Sequence, residues 1–227
     1  MTTAMKCLEF VQNPRWERWL RVGLLIGIVA LPAVFLLDLR IQAEVAGLRT
    51  LEVEAAMQVI TRLGDGAVDI GGLVLLGLAG WWRGDRGLRA RGLIGGATVA
   101  GAGLVELVIK NVTCRARPSA PEVGAYFTNF PCFPAEYAYA SFPSGHATTA
   151  FAAAVFLALW YPRGAPIFLA LALLVGVSRV LVGSHFPVDV WAGALLGTAS
   201  ALGVHAYVPA ARRHPEPGNQ ATGQSGN

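Results

Sequence analysis

The stretch Ser141-Phe142-Pro143-Ser144-Gly145-His146 stands immediately before a mostly apolar run, residues 147–161. Pro, Ser and Gly ahead of such a run are typical of a helix start, where Ser can cap and the first-turn N–H groups lack partners. Free N–H groups at the positive end of the helix dipole bind anions. His146 adds an imidazole to that first turn, so the stretch predicts an anion site that contains a proton donor.

The composition indicates a membrane protein. Of the 227 residues, 54% are apolar and only 14% are charged, which is about half the charged share of soluble domains. The net charge of +4 requires no nucleic-acid partner, because basic loops that hold a membrane topology account for it. We expect one domain, residues 1–210, followed by a disordered polar tail, residues 211–227.

Hydropathy predicts an all-α, polytopic fold with six membrane-spanning helices. The apolar segments are residues 20–37, 66–82, 93–109, 147–161, 167–182 and 188–208. The polar connection after the first segment carries apolar residues at helical spacing, which predicts an amphipathic surface helix near residues 43–63.

The distribution of Lys and Arg orients these helices. Basic residues are dense before the first span, in residues 83–91 and after residue 211, so these segments and both termini are expected in the cytoplasm. The connections 38–65, 110–146 and 178–187 then face outward. This predicts that the polar residues at these helix ends meet on one face of the membrane.

Three cations, Lys110, Arg117 and Arg179, fall at these outward ends. Basic residues at span ends often serve topology alone, but outward ends are where topology disfavours them. The nearby acids are Glu106 and Asp189, too few to balance three cations. A phosphate group would supply the missing charge, because forked Arg donors and helix N–H groups suit its oxygens.

His185 and Asp189 are four residues apart at the start of the last span. This spacing places them on one helical face, so that Asp189 can accept from one ring nitrogen of His185. The other nitrogen then keeps a free lone pair, as in a nucleophile or general base. His146 has no acid near it in sequence and suits the acid that protonates a leaving oxygen.

Two other chemistries are weaker readings of the same residues. The two histidines and Asp189 are zinc-type ligands, but three neighbouring cations would repel a divalent ion. Ser144 as the nucleophile of a protease lacks the Gly-x-Ser-x-Gly turn. We therefore expect neither a metal nor another cofactor.

Three motifs together resemble the type 2 phosphatidic acid phosphatase superfamily: Lys110-x6-Arg117-Pro118, Pro143-Ser144-Gly145-His146 and Ser178-Arg179-x5-His185-x3-Asp189. The resemblance extends over residues 60–205. It implies that His185 attacks phosphorus and forms a phosphohistidine, that Asp189 orients His185, and that His146 protonates the leaving group. It also implies that the phosphate oxygens are held by Lys110, Arg117, Ser144, the Gly145 N–H and Arg179, without a metal.

The expected function is that of a lipid phosphate phosphatase in a bacterial inner membrane, with its site facing the periplasm. The candidate substrates are phosphatidylglycerol phosphate, undecaprenyl pyrophosphate, lipid A 1-phosphate and phosphatidate. Two alternatives remain open, a phosphotransferase that passes the phosphoryl group to another lipid and a lipid transporter without turnover. No nucleic acid or obligatory protein partner is expected.

Neighbouring residues suggest supporting roles. Glu106 lies one turn before Lys110, a spacing that permits an ion pair, and Ser178 adjoins Arg179 in the third motif. Cys114 and Cys132 share one outward loop, where a periplasmic location would favour a disulfide over two free thiols.

Overall fold

The computed structural model describes residues 14–127, 130, 132 and 136–211. These residues contain no strand and form seven α-helices: α1 Pro14–Ala46, α2 Leu51–Thr61, α3 Gly66–Trp82, α4 Arg86–Thr113, α5 Gly145–Trp160, α6 Ala165–Leu181 and α7 Pro187–Ala211. The predicted all-α class is confirmed. The expected polar tail, apart from its first residue, lies outside the described part of the chain.

Several of these helices are long and apolar enough to cross a membrane. Within the described residues four segments meet that test, namely α1, α4, α7 and α6 together with the short turn before it, Pro162–Leu181. Helices α2 and α3, with the short turn between them, meet it only as one pair bent by 46°, and α5 is a shorter apolar helix. The chain is a polytopic membrane protein, and the number of six spans stays a prediction.

The first helix is longer than hydropathy predicts. The expected span ended at residue 37, whereas α1 continues to Ala46 and includes Asp38. The extension is rich in good helix formers, and Asp38 pairs with Arg115 instead of facing solvent. The prediction that Asp38 begins a polar connection was therefore wrong.

The predicted surface helix corresponds to α2, although its first residues belong to α1. Thr50 caps α2 by accepting a hydrogen bond from the Val53 N–H. No residue of α2 is fully buried, as expected of a helix that lies against the outside of a bundle.

Helix α5 forms the centre of the bundle and packs against α4, α6 and α7. Its contact with α7 is close because two glycines of α7 face its backbone. A Cβ atom at Gly193 would lie 2.5 Å from the Ser144 carbonyl oxygen, and one at Gly197 would lie 2.3 Å from the Thr148 carbonyl oxygen. Small residues allow this approach between membrane helices.

The packing places four helix ends together, the last turns of α4 and α6 and the first turns of α5 and α7. The Ser144 N–H donates to the Asp189 carbonyl at 2.9 Å and joins the start of α5 to α7. The His185 N–H donates to the Arg179 carbonyl at 3.3 Å and joins the end of α6 to the turn before α7. The loop between α4 and α5 lies over the same end.

Candidate active site

Asp189 is a completely buried carboxylate in the first turn of α7. Its Oδ2 accepts from the Ser141 hydroxyl at 2.6 Å and from the Phe186 N–H at 2.9 Å. Its Oδ1 accepts from Arg115. The positive end of the helix dipole adds to these interactions, so both oxygens are held in place.

The His185 ring is oriented differently from the sequence-based expectation. Its Nδ1 lies 2.8 Å from the Ser141 carbonyl oxygen and 3.7 Å from Asp189 Oδ2. The expected hydrogen bond from the ring to Asp189 is therefore replaced by one to the main chain, because Oδ2 already accepts two other donors. A carbonyl oxygen only accepts, so this contact assigns a proton to Nδ1 and the lone pair to Nε2.

The surroundings keep His185 neutral. Burial, together with the positive charges of Arg117 and Arg179, lowers the pKa of His185 to about 3, against the opposing influence of Asp189. Its Nε2 lies 3.3 Å from Arg117 Nη1. The lone pair that a nucleophile needs is thus present and points toward a cation.

Arg117 is buried and is held by carbonyl oxygens. Its Nε donates to Tyr137 O at 2.7 Å, and its terminal nitrogens donate to Ser184 O at 2.8 Å and Ala140 O at 3.0 Å. The Tyr137 ring covers the guanidinium at 3.9 Å. Burial lowers the pKa of Arg117, yet an arginine stays protonated at physiological pH, so a fixed positive charge lies beside His185.

Arg179 brings a second buried guanidinium to the site from the last turn of α6. Its Nη1 donates to Thr61 Oγ1 at 2.8 Å. Its Nε has no hydrogen-bond partner among the described residues. Part of its donor capacity is therefore available to a ligand.

Lys110 lies in the last turn of α4 and forms an ion pair with Glu106, one turn earlier. The Glu106 carboxylate also faces the start of α5, since a Cβ at Gly145 would lie 3.4 Å from its Oε1. This contact places the partly exposed Lys110 beside the N-terminus of α5.

The start of α5 has the features of an anion-binding helix end. Ser144 is fully buried, does not cap the helix, and its hydroxyl has no hydrogen-bond partner within the described ranges. Gly145 and His146, in the first turn, are partly exposed. The first-turn N–H groups and the Ser144 hydroxyl can therefore bind a ligand that approaches His146.

The described ion pairs leave two arginines of this site without an acid. Lys110 pairs with Glu106, and Arg115 pairs with both Asp38 and Asp189. Arg117 and Arg179 have no carboxylate within 4.0 Å in the part of the chain that the structure describes. Two buried positive charges without counterions favour a dianion as the ligand.

Sequence reasoning missed Asp38, Arg115 and Ser141. Arg115 stands two residues before Arg117, and Asp38 stands at the outer end of the first apolar segment. The sequence therefore shows Arg115 as a fourth cation and Asp38 as a third acid at the outer face. That they pair with each other depends on tertiary contacts, which the sequence does not show. Ser178 was proposed as support, whereas its hydroxyl donates to Val175 O at 2.6 Å within α6.

Cys114 and Cys132 form a disulfide across 18 residues. Cys114 follows α4 directly and precedes the segment that carries Arg115 and Arg117. The crosslink therefore tethers the loop that supplies two of the buried cations.

Comparison with known proteins identifies the family of the chain. The model of the PAP2 superfamily matches residues 91–213. The chain is 41% identical over 100 residues to lipid A 1-phosphatase of Rhizobium etli, covering 44% of this chain and 43% of that protein. It is 34% identical over 109 residues to decaprenylphosphoryl-5-phosphoribose phosphatase of Mycobacterium tuberculosis, covering 48% and 56%. The chain thus matches about half the length of these curated relatives.

A solved structure resembles the fold over almost its whole length. It is the crystal structure of a transmembrane PAP2 type phosphatidylglycerolphosphate phosphatase from Bacillus subtilis, with a TM-score of 0.63 and 27% sequence identity. The similarity covers 88% of this chain and 98% of that one.

Proposed function

Because the chain belongs to the PAP2 superfamily, we propose that it is a membrane phosphatase that removes phosphate from a lipid through a phosphohistidine on His185. The observation that carries the proposal is a pair of buried arginines, beside a neutral imidazole, that have no carboxylate partner among the described residues. Arg117 Nη1 lies 3.3 Å from His185 Nε2. The three similar proteins described above are phosphatases of lipid phosphates by name, which supports the same class of substrate.

Substrate binding places the lipid phosphate among the cations. The phosphate oxygens accept from Arg117, Arg179 and Lys110 and from the first-turn N–H groups of α5, with the Ser144 hydroxyl as a further donor. A phosphate oxygen takes over the Arg117 N–H that points at His185 Nε2. This exchange frees the nitrogen lone pair when the phosphorus atom arrives.

In the first chemical step, His185 Nε2 attacks phosphorus and the bond from phosphorus to the lipid oxygen breaks. The electron pair of that bond goes to the lipid oxygen. His146 is protonated because the phosphate dianion binds beside it, and it supplies the proton that makes the lipid alcohol. The phosphorylated ring keeps its Nδ1 proton and becomes cationic. The Ser141 carbonyl and the negative charge of Asp189 stabilise this ring.

In the second step, a water molecule attacks the phosphohistidine and the bond from phosphorus to Nε2 breaks. Neutral His146 accepts a proton from the water, so it returns to the form that began the cycle. Inorganic phosphate leaves and His185 is neutral again. The cations of this chain stabilise the negative charge that develops on the phosphate oxygens, and the mechanism requires no metal.

The membrane setting completes the proposal. The chain forms one domain over residues 1–210 in a bacterial inner membrane, with both termini in the cytoplasm and the site at the periplasmic face. The basic residues 83–91 support this orientation, because they lie where α3 ends and α4 begins, whereas α4 carries Lys110 in its last turn. Lipid substrates then enter from the outer leaflet.

The test measures release of inorganic phosphate by the purified protein in detergent micelles. The four lipids expected from the sequence are assayed separately, and product analysis distinguishes release to water from transfer to a lipid. At least one lipid is expected to be hydrolysed, with or without EDTA and with inhibition by vanadate. His185→Ala is expected to abolish release. The control is His205→Asn, since His205 lies toward the other end of α7, near Glu17 of α1, and this variant is expected to retain release. Undiminished release by His185→Ala would refute the mechanism.

A further inference from the structure

The first helix contributes a buried acid to the active site. Helix α1 precedes residues 91–213, the region that the family model matches, yet Asp38 is only 2% exposed. Its Oδ1 accepts from the Val188 N–H at 2.8 Å, in the first turn of α7. Its Oδ2 accepts from Arg115 Nη2 at 2.5 Å. Asp38 therefore holds the helix that carries Asp189 and also a guanidinium that contacts Asp189.

Arg115 is the connection between the two acids. One terminal nitrogen contacts Asp38 and the other contacts Asp189. The rings of Phe186 and Tyr126 lie 4.2 Å and 4.9 Å from its guanidinium carbon. The fork is therefore fixed in one plane, and it restrains the Asp189 oxygen that is not held by Ser141 and Phe186.

The net charge of Asp38, Arg115 and Asp189 affects the phosphohistidine as much as their positions do. Arg115 shares one positive charge between two carboxylates, so the three side chains together carry one negative charge. This charge lies next to His185 Nδ1, 3.7 Å from Asp189 Oδ2. If Asp38 were neutral, Arg115 would balance Asp189 completely, and the cationic phosphohistidine ring would lose its counterion in a buried setting.

We propose that Asp38 and Arg115 are positioning residues for phosphoryl transfer, which act on His185 through Asp189. The inference rests on the proposed function, because it assigns these residues to the same reaction. Neither residue contacts the phosphate. Their effect is to orient Asp189 and to keep a net negative charge beside the ring that becomes cationic.

The first experiment compares Asp38→Asn with wild-type protein in the phosphate-release assay and in rapid-quench formation of the phosphoenzyme. The rate of phosphoenzyme formation and kcat are expected to fall about 10- to 100-fold, the loss that follows when a hydrogen bond to a charged group is weakened or removed. KM is expected to stay unchanged. Asp85→Asn is the matched control, because Asp85 accepts from the Leu88 N–H at 2.9 Å at the start of α4, at the opposite end of that helix from Lys110.

Substitutions of Arg115 separate charge from packing. Arg115→Lys keeps the positive charge and is expected to retain more activity than Arg115→Gln, which leaves two buried acids without a cation. A structural role alone would instead lower the amount and the unfolding temperature of folded protein while each folded molecule kept its normal kcat. Wild-type kcat in folded Asp38→Asn, or equal kcat in both Arg115 variants, would overturn the proposal.

A vanadate-binding measurement keeps this test independent of turnover. Orthovanadate forms a five-coordinate adduct on an attacking nitrogen and so imitates the transition state of phosphoryl transfer. Its affinity for wild-type and Asp38→Asn protein can be measured by calorimetry in detergent. The variant is expected to bind it about 10-fold more weakly, because the negative charge beside His185 stabilises the transition-state-like adduct more than the bound substrate. Equal affinities would overturn the positioning role. Absence of phosphate release by wild-type protein would refute the proposed function, whereas release by wild-type protein together with equal vanadate affinities would overturn the role of Asp38 alone.

Discussion

His185 Nδ1 donates to the carbonyl oxygen of Ser141 at 2.8 Å, so a backbone atom sets the orientation of the imidazole. The Asp189 carboxylate is farther from the ring, at 3.7 Å. The main chain therefore selects the tautomer, and Asp189 supplies mainly negative charge. This division of roles predicts different costs for removing each polar group.

Asp189→Asn is expected to slow phosphoenzyme formation by about 100-fold, the scale seen when one preorganised electrostatic contact to a transition state is removed. Ser141→Ala keeps the carbonyl and removes one hydroxyl donor to Asp189. This variant is expected to form the phosphoenzyme about 10-fold more slowly than wild type, because a hydrogen bond to a charged group contributes about 1.5 kcal/mol at the low end of its range. Rapid-quench kinetics with the best lipid substrate measures both. A Ser141→Ala loss as large as that of Asp189→Asn would contradict the assignment.

The low pKa of His185 predicts a pH-dependent stability. The folded protein holds this pKa at about 3, whereas an unfolded histidine has a pKa of about 6.5. Below about pH 6.5 the unfolded chain binds a proton that the folded chain does not, so the free energy of unfolding falls as the pH decreases toward 3. When the pH is lowered from about 7.5 to about 5, the titration of this residue should lower the free energy of unfolding by about 2 kcal/mol.

The measurement is denaturant unfolding in detergent at these two pH values for wild type and His185→Asn. The asparagine amide can still donate to the Ser141 carbonyl but does not titrate. The variant is therefore expected to lose about 2 kcal/mol less than wild type on acidification. Equal losses would show that His185 does not carry the effect.

Arg117 and Arg179, which have no acidic partner in the part of the chain that the structure describes, should not tolerate lysine. Arg117→Lys loses the fork that donates to Tyr137, Ser184 and Ala140 while keeping the charge. Each of Arg117→Lys and Arg179→Lys is expected to lower kcat/KM about 10- to 100-fold, since charge-assisted hydrogen bonds contribute about 1.5 to 3 kcal/mol. Phosphate release measures the effect.

Arg163→Lys is the control for these substitutions. Arg163 is exposed and lies in the turn between α5 and α6, at the far end of both helices from His146 and Arg179. Its replacement is expected to leave kcat/KM unchanged. A loss comparable with that of the Arg117 and Arg179 variants would indicate a general intolerance of the protein to lysine.

Helix positions followed well from hydropathy, whereas the pairing of charges did not. The segment 66–82 coincides with α3, and the resemblance to known motifs singled out His146, His185 and Asp189, which the fold brings to one end of the bundle. Asp38 was placed in a connection because hydropathy treats a charged residue as the end of a span. Tertiary contacts with Arg115, 77 residues away, and with the Val188 N–H make a carboxylate tolerable at that position.

The His185 contact was missed for a related reason. The spacing of four residues predicts that His185 and Asp189 share a helical face, but His185 precedes the first residue of α7. The ring therefore turns toward Ser141, which comes from the loop between α4 and α5. Local periodicity cannot indicate an acceptor that a distant main chain supplies.

The disulfide is expected to stabilise the loop that carries Arg115 and Arg117. Closing a loop of this length contributes about 3 kcal/mol in the chain-entropy description. Cys114→Ser with Cys132→Ser should lower the free energy of unfolding by about that amount and should reduce kcat, because both cations depend on the loop. Cys7→Ser, at a position outside the described residues, is the control. Unchanged stability of the double variant under non-reducing conditions would contradict the prediction.

The contact between α5 and α7 predicts that Gly197 cannot be enlarged. A Cβ there would lie 2.3 Å from Thr148 O and 2.7 Å from Ala152 N, and backbone atoms cannot yield without moving a helix. Gly197→Ala is expected to destabilise the protein by about 1 to 3 kcal/mol, the cost of overpacking. It should also lower phosphate release, because α7 carries Asp189 and its carbonyl accepts from the Ser144 N–H.

Gly203 is the matched control in the same helix, since a Cβ there would meet no atom within 4 Å. Alanine at this exposed helical position is expected to raise stability by up to about 1 kcal/mol, because it forms helix better than glycine. Thermal unfolding in detergent and phosphate release measure both variants. Equal unfolding temperatures for Gly197→Ala and Gly203→Ala would contradict the close approach of α5 and α7. The junction that joins Ser144 to Asp189 would then need another explanation.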